Sequence, residues 1–149
     1  EENSVSITIM DCIFNNIRAS DDPKQLKYII RIDEQNIALY ITHSYFNNFF
    51  ATEGEIRLDK TRCSTITHIC ASNIKTGNRV SFLYYNCVPD DFSILLFSTL
   101  VDTGRDDNSN DANTIYCMNG DQYYRCNNIT KRHSTAYHFV FSQYVFHLH

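Results

Sequence analysis

The sequence is poor in the residues that make tight turns and flexible loops. It holds only four glycines and two prolines among 149 residues, and it has no tryptophan. This composition excludes a collagen-like or glycine-rich low-complexity chain. It also leaves little material for the glycine loops that cradle phosphates in nucleotide-binding proteins. Asn and Asp must supply much of the turn chemistry instead, as at Asn15-Asn16 and Asn47-Asn48.

Long apolar runs and catalytic motifs are missing as well. No run approaches the roughly 18 apolar residues that cross a bilayer, so the sequence predicts no membrane-spanning helix. The chain opens Glu1-Glu2-Asn3 without a basic and then apolar leader, which fits a mature form after signal removal or an engineered start. It contains no HExxH and no nucleophile elbow. We therefore predict a protein without catalytic site, metal or cofactor.

Charge is concentrated in one segment, residues 102–113. Four aspartates, Asp102, Asp106, Asp107 and Asp111, stand there against Arg105, in a chain whose formal net charge is −4. One interpretation is a solvated connection between two strands. The other is an acidic surface that attracts a basic protein partner, with these four aspartates as its partner-binding residues. A nucleic acid would be repelled.

Apolar residues alternate with polar ones along much of the chain, which is typical of half-buried strands. The pattern covers residues 5–9, 37–41, 80–84 and 137–145. Residues 93–101 are apolar on both faces and predict a central strand. A helix is plausible only at residues 44–52, and Thr76-Gly77-Asn78 predicts a hairpin. We therefore predict a mostly β, two-sheet sandwich with at most one short helix, a single domain over residues 1–149, without internal repeats.

The six cysteines predict a disulfide framework of three bridges, in any of 15 connectivities. They are Cys12, Cys63, Cys70, Cys87, Cys117 and Cys126. If residues 62–70 form one strand, Cys63 and Cys70 lie about 23 Å apart on opposite faces and cannot pair with each other. Disulfides imply a secreted protein, and Asn128-Ile-Thr130 is an acceptor sequon for a glycan. Six buried free thiols in a cytosolic protein are the alternative.

The strand between two cysteines resembles a pattern in a known family. Cys63-Ser-Thr-Ile-Thr-His-Ile-Cys70 is followed by Tyr84-Tyr-Asn-Cys87 and the apolar run Phe92-Ser-Ile-Leu-Leu-Phe-Ser98, and a polar, acidic segment comes next. This order is similar to the poxvirus immune evasion family, and within it to the chemokine-binding SECRET domain. The similarity extends in outline over residues 4–126.

The resemblance implies a secreted viral β-sandwich that acts as a decoy and performs no catalysis. Its partner would be a host chemokine, which is basic, or else a class I histocompatibility molecule or a cytokine. The four aspartates would then be long-range anchors for the chemokine. A lipocalin-like carrier, in which tyrosines and phenylalanines line a cavity for a small ligand, is the alternative from another functional class.

Overall fold

The strands of this chain are short and evenly spaced. The computed structural model describes residues 4–17, 28–51, 56–76, 80–88, 91–105, 113–130, 140–142 and 146–148. The strands in these ranges are β1 (Val5–Met10), β2 (Ile13–Asn15), β3 (Ile30–Ile32), β4 (Ile37–Thr42), β5 (Tyr45–Ala51), β6 (Ile56–Asp59), β7 (Ser64–Thr67), β8 (Cys70–Thr76), β9 (Val80–Asn86), β10 (Phe92–Leu96), β11 (Thr99–Arg105), β12 (Asn113–Cys117), β13 (Asp121–Arg125), β14 (Asn128–Thr130), β15 (Val140–Ser142) and β16 (Phe146–Leu148).

Every third strand joins the same sheet, and all neighbouring strands are parallel. Sheet A has the order β1-β4-β7-β10-β13-β16, sheet B the order β2-β5-β8-β11-β14, and sheet C the order β3-β6-β9-β12-β15. Each coil of the chain therefore adds one strand to each sheet, and the coils stack into a parallel β-solenoid. The predicted two-sheet sandwich is wrong. Alternating apolar residues indicate that a strand is half-buried, but they do not indicate which strand pairs with it.

The corner between sheets A and B has the same form in every coil. It consists of two residues, as between the end of β4 at Thr42 and the start of β5 at Tyr45. The first of the two has a positive φ each time, at Asp11, His43, His68, Phe97 and Cys126. In this left-handed conformation the chain turns sharply from one sheet into the next.

Four local predictions are wrong, and the left-handed corner accounts for the first two. The single strand over residues 62–70 breaks at His68 into β7 and β8, and the central strand over residues 93–101 breaks at Phe97 into β10 and β11. The hairpin is also wrong, because β8 lies in sheet B and β9 in sheet C. The helix over residues 44–52 is strand β5, in which Phe46 and Phe49 are buried on either side of the bend at Asn48.

The interior of the solenoid is built from rows of apolar side chains that follow the axis. One row of sheet A contains Ile9, Ile41, Ile66 and Leu95, and the last three are fully buried. In sheet B, Phe14 stacks on Phe46 with 4.8 Å between ring centroids. The core is therefore filled by side chains, unlike the open cavity that a lipocalin-like barrel would require.

The six cysteines are free thiols, so the predicted disulfide framework is wrong. Cys87 and Cys117 are buried, Cys70 and Cys126 are exposed, and Cys12 and Cys63 are partly buried. Here hydrogen bonds between successive coils connect each strand to its neighbours, and the two cysteines of the 63–70 segment belong to different strands.

Candidate binding face on sheet A

The outward side of sheet A is an exposed face in which residues line up from coil to coil. In β4, Leu39 and Ile41 are fully buried, whereas Tyr40 between them is 38% exposed. Strand register continues the row of Tyr40 across the sheet, and we call it the central row: Thr8, Tyr40, Thr65, Ile94 and Tyr123, followed by the position of His147 in β16. One flanking row contains Met10, Thr42, Thr67, Leu96 and Arg125.

Four large apolar or aromatic side chains on this face are exposed. Met10 is 57% exposed, and Phe92, Tyr40 and Tyr123 are 39, 38 and 36% exposed. Single exposed apolar residues are common on proteins, but several on one face indicate a surface for contact with another molecule. Sequence reasoning did not single out these residues. The signal available was that Tyr40 and Tyr123 each lie three residues before a corner residue, His43 and Cys126.

Hydroxyl groups lie between the apolar side chains. Thr67 Oγ1 donates a hydrogen bond to Thr42 Oγ1 at 3.1 Å, and Thr42 Oγ1 lies 2.9 Å from His43 Nδ1. The negative charge of an ionised Cys63 and the hydrogen bond between the two side chains raise the pKa of Tyr40. The face thus combines aromatic rings with oriented hydroxyl donors and acceptors.

The face carries almost no net charge. Among β1, β4, β7, β10 and β13 the charged residues are Asp121 and Arg125, which have opposite signs. Strong attraction to a highly charged partner is therefore absent on this side of the molecule.

On the outward side of sheet C, polar and aromatic side chains contact one another. Arg57 Nε donates to Asp59 at 2.5 Å, and the Arg57 guanidinium lies 4.5 Å from the ring centroid of Tyr84 and 5.4 Å from that of Tyr28. Tyr84 in turn stacks on Tyr116 at 5.4 Å. These cation–π and stacking contacts stabilise the contact between coils and occupy the rings involved.

The outward side of sheet B carries two amide ladders. In the first, Asn47 Nδ2 donates to Asn15 Oδ1 at 3.0 Å, and Ser72 Oγ donates to Asn47 Oδ1 at 2.8 Å. The second ladder lies one residue further along the chain and is formed by Asn16, Asn48 and Asn73, all with positive φ. Both ladders satisfy the side-chain amides within the protein and thereby link successive coils.

Of the four aspartates in the predicted acidic site, the structure describes only Asp102. Asp102 lies in β11, partly buried, and accepts a hydrogen bond from Lys75 Nζ at 2.9 Å. The ion pair neutralises this aspartate. Asp106, Asp107 and Asp111 lie outside the described residues. Asn128, the predicted glycan acceptor, begins β14 and is exposed.

A polar cluster lies inside the solenoid, where sheets A and C meet. Cys87 Sγ lies 2.8 Å from Ser93 Oγ, and Cys117 Sγ lies 2.7 Å from Tyr124 Oη. Burial raises the pKa of both thiols, and that of Cys117 to about 12. A nucleophilic cysteine requires the opposite shift, so these thiols do not form a catalytic centre.

In the part of the chain that the structure describes, no three His, Cys, Asp or Glu side chains are placed to hold a metal ion. The described part of the chain also forms no helix that is long and apolar enough to cross a membrane. No protein-family model, no curated protein and no solved structure matches this chain.

Proposed function

We propose that this protein is a non-catalytic binding protein whose sheet A face holds an uncharged polysaccharide. The observation that carries the proposal is the combination of exposed rings and hydroxyls along the central row, with Tyr40 and Tyr123 exposed and Thr8 and Thr65 in register with them. Aromatic rings pack against the C–H face of a sugar ring, and hydroxyls exchange hydrogen bonds with sugar hydroxyls. Stacked repeats offer an extended surface suited to a long ligand.

The composition of the face favours a glycan over a protein partner. Protein interfaces concentrate their binding energy in Trp, Tyr and Arg, and Ser and Thr are under-represented among the residues that contribute most. Here Thr8, Thr42, Thr65 and Thr67 lie side by side with the exposed rings. Asp121 and Arg125 offset each other, which favours an uncharged ligand over an acidic or basic one.

Chemokine binding remains the competing hypothesis, and class I histocompatibility molecules or cytokines remain its variants. It depends on the acidic surface, and the Lys75 ammonium already pairs with Asp102. The two hypotheses differ in their response to salt. Attraction between an acidic segment and a basic chemokine weakens as ionic strength rises, whereas stacking and hydrogen bonding to an uncharged glycan change little.

The test is a binding panel at two salt concentrations. Calorimetry and affinity electrophoresis would measure binding to soluble neutral and acidic polysaccharides, and the same protein would be tested against chemokines, a class I histocompatibility protein and cytokines. We expect salt-insensitive binding to a neutral polysaccharide. Tyr40→Ala should weaken it about three- to tenfold, the value of one aromatic contact.

A matched control is available on sheet C. Tyr116→Ala also removes one partly exposed tyrosine, but from sheet C instead of sheet A, and should leave glycan affinity unchanged. Equal losses in both variants would indicate general damage to the fold and contradict the assignment of the face. Salt-sensitive binding to a chemokine without binding to any glycan would replace the proposal with the decoy hypothesis.

A further inference from the structure

We infer that the glycan crosses the strands of sheet A and follows the solenoid axis, as an extended, flat, β-linked chain that contacts Tyr40 and Tyr123 together. The inference rests on the proposed function and specifies the shape and length of its ligand. Tyr40 and Tyr123 belong to the same row, and β7 and β10 lie between their strands. Three steps of about 4.8 Å place the two tyrosines about 14 Å apart.

The direction follows from where the exposed rings are. A glycan lying along β4 would meet one exposed ring, Tyr40, and then Thr42. A glycan lying along β10 would meet Phe92 and then Ile94 and Leu96, which offer no hydroxyl. Only the path across the strands meets two exposed rings with a threonine hydroxyl between them.

The shape of the ligand follows from what lies between the two rings. Thr65 and Ile94 are partly buried and occupy the middle of the row, so they offer a shallow surface and no pocket. A flat chain can remain in contact along the whole 14 Å or so, whereas a helical chain curves away from a planar sheet. Between Tyr40 and Tyr123 the row contains no charged residue, so we expect the ligand to bind without uronic acid or sulfate groups.

The length dependence provides the test. Binding of flat cello-, manno- and xylo-oligosaccharides of increasing length would be measured, with malto-oligosaccharides as helical controls. Affinity for the flat series should rise about three- to tenfold once the chain is long enough to reach both rings, because the second aromatic contact then forms within the same complex. Malto-oligosaccharides should show no such step.

Variants separate this inference from the proposed function. For the long oligosaccharide, Tyr40→Ala and Tyr123→Ala should each remove the step, and the double variant, which has neither ring, should bind more weakly than a short oligosaccharide binds the native protein. Ile94→Arg, placed between the rings, should also remove the step while short oligosaccharides still bind. Circular dichroism would verify that each variant is folded.

Each outcome has one meaning. A step that Tyr40→Ala, Tyr123→Ala and Ile94→Arg all remove supports the inference. Binding without a length step, or equal binding of malto-oligosaccharides, overturns the inference and leaves the carbohydrate function standing. Absence of binding to every polysaccharide and oligosaccharide overturns both.

Discussion

Asn48 offers a direct test of how successive coils are held together. Its side chain donates to Asn16 Oδ1 and accepts from Asn73 Nδ2 at 2.9 Å, so it is the middle member of the second amide ladder. Its backbone is left-handed, with φ of 57°. Asn tolerates this conformation better than other residues with a side chain. Asn48→Ala therefore removes at least these two hydrogen bonds and also places a less suitable residue at a left-handed position.

The two effects can be added. The hydrogen bonds are exposed or partly buried, so together they contribute about 1–2 kcal/mol. Alanine in the left-handed region adds roughly 1 kcal/mol. We expect Asn48→Ala to lower the free energy of unfolding by about 2–3 kcal/mol, and the Tm by roughly 5–10 °C for a chain of this size.

Asn48→Gly is the matched variant, because it removes the same hydrogen bonds but accepts positive φ. It should be about 1 kcal/mol less destabilising than Asn48→Ala. Both variants would be compared with the native protein by thermal melting followed by circular dichroism, and by urea unfolding. Equal destabilisation by alanine and glycine would refute the conformational argument. Unchanged stability in both would refute a structural role for the ladder.

The buried thiols and Tyr85 give further predictions. At pH 8 a thiol reagent should modify the exposed Cys70 and Cys126 quickly and reach Cys87 and Cys117 only on unfolding, because burial raises the pKa of both buried thiols; fast modification of all would contradict their burial. Cys117 holds its proton more tightly in the folded state than in the unfolded state. Its contribution to the free energy of unfolding is therefore complete below its ordinary pKa of 9.0, and up to roughly 4 kcal/mol is lost as the pH rises toward about 12. Urea unfolding of the native protein and Cys117→Val at pH 8 and pH 10 should show a steeper decline for the native protein, and equal declines would assign alkaline sensitivity to other groups. Tyr85 Oη is buried with no hydrogen bond in good geometry, so Tyr85→Phe should leave stability unchanged or raise it by about 1 kcal/mol, and a clear loss in thermal melting would show that this hydroxyl has a partner.

The positions of several strands could be predicted from the sequence, but their arrangement could not. β1, β4 and β9 lie where apolar and polar residues alternate. The same alternation fits a strand with an antiparallel neighbour and a strand stacked on a parallel one, since only one face is buried in both cases. Pairing across coils joins residues 24 to 33 positions apart, such as Leu39 with Ser64 and Ile7 with Leu39, and an alternation pattern within one strand carries no information at that distance.

A repeat was present and was missed, so the prediction of a chain without internal repeats is wrong. Ile7-Thr-Ile-Met-Asp-Cys-Ile-Phe-Asn-Asn16 aligns with Leu39-Tyr-Ile-Thr-His-Ser-Tyr-Phe-Asn-Asn48, and the structure places these segments in direct register. Ser64-Thr-Ile-Thr-His-Ile-Cys-Ala-Ser-Asn73 is a third copy. The shared Asn-Asn or Ser-Asn ending marks the amide ladders. It was interpreted as turn chemistry because Asn is common in turns.

The candidate face was beyond prediction for a related reason. Tyr40 and Tyr123 are 83 residues apart by their numbers in the chain, and nothing local connects them. They share a row only because three steps of strand register, through Thr65 and Ile94, bring them onto one line. The acidic segment is visible in the sequence because its four aspartates lie close together, between residues 102 and 111, whereas a row that crosses a solenoid is dispersed along the sequence.

The corners of the coil differ in length, and this difference determines where the chain can accept insertions and deletions. Between sheets A and B the connection is always two residues, but between sheets B and C it ranges from three residues, at 77–79, to fourteen, at 16–29. Changes in coil length are therefore absorbed at a corner that lies across the core from sheet A. Insertions and deletions at the corner between sheets B and C therefore leave the spacing between Tyr40 and Tyr123 unchanged. The length of the chain can vary at that corner while the distance between the two rings on sheet A stays constant.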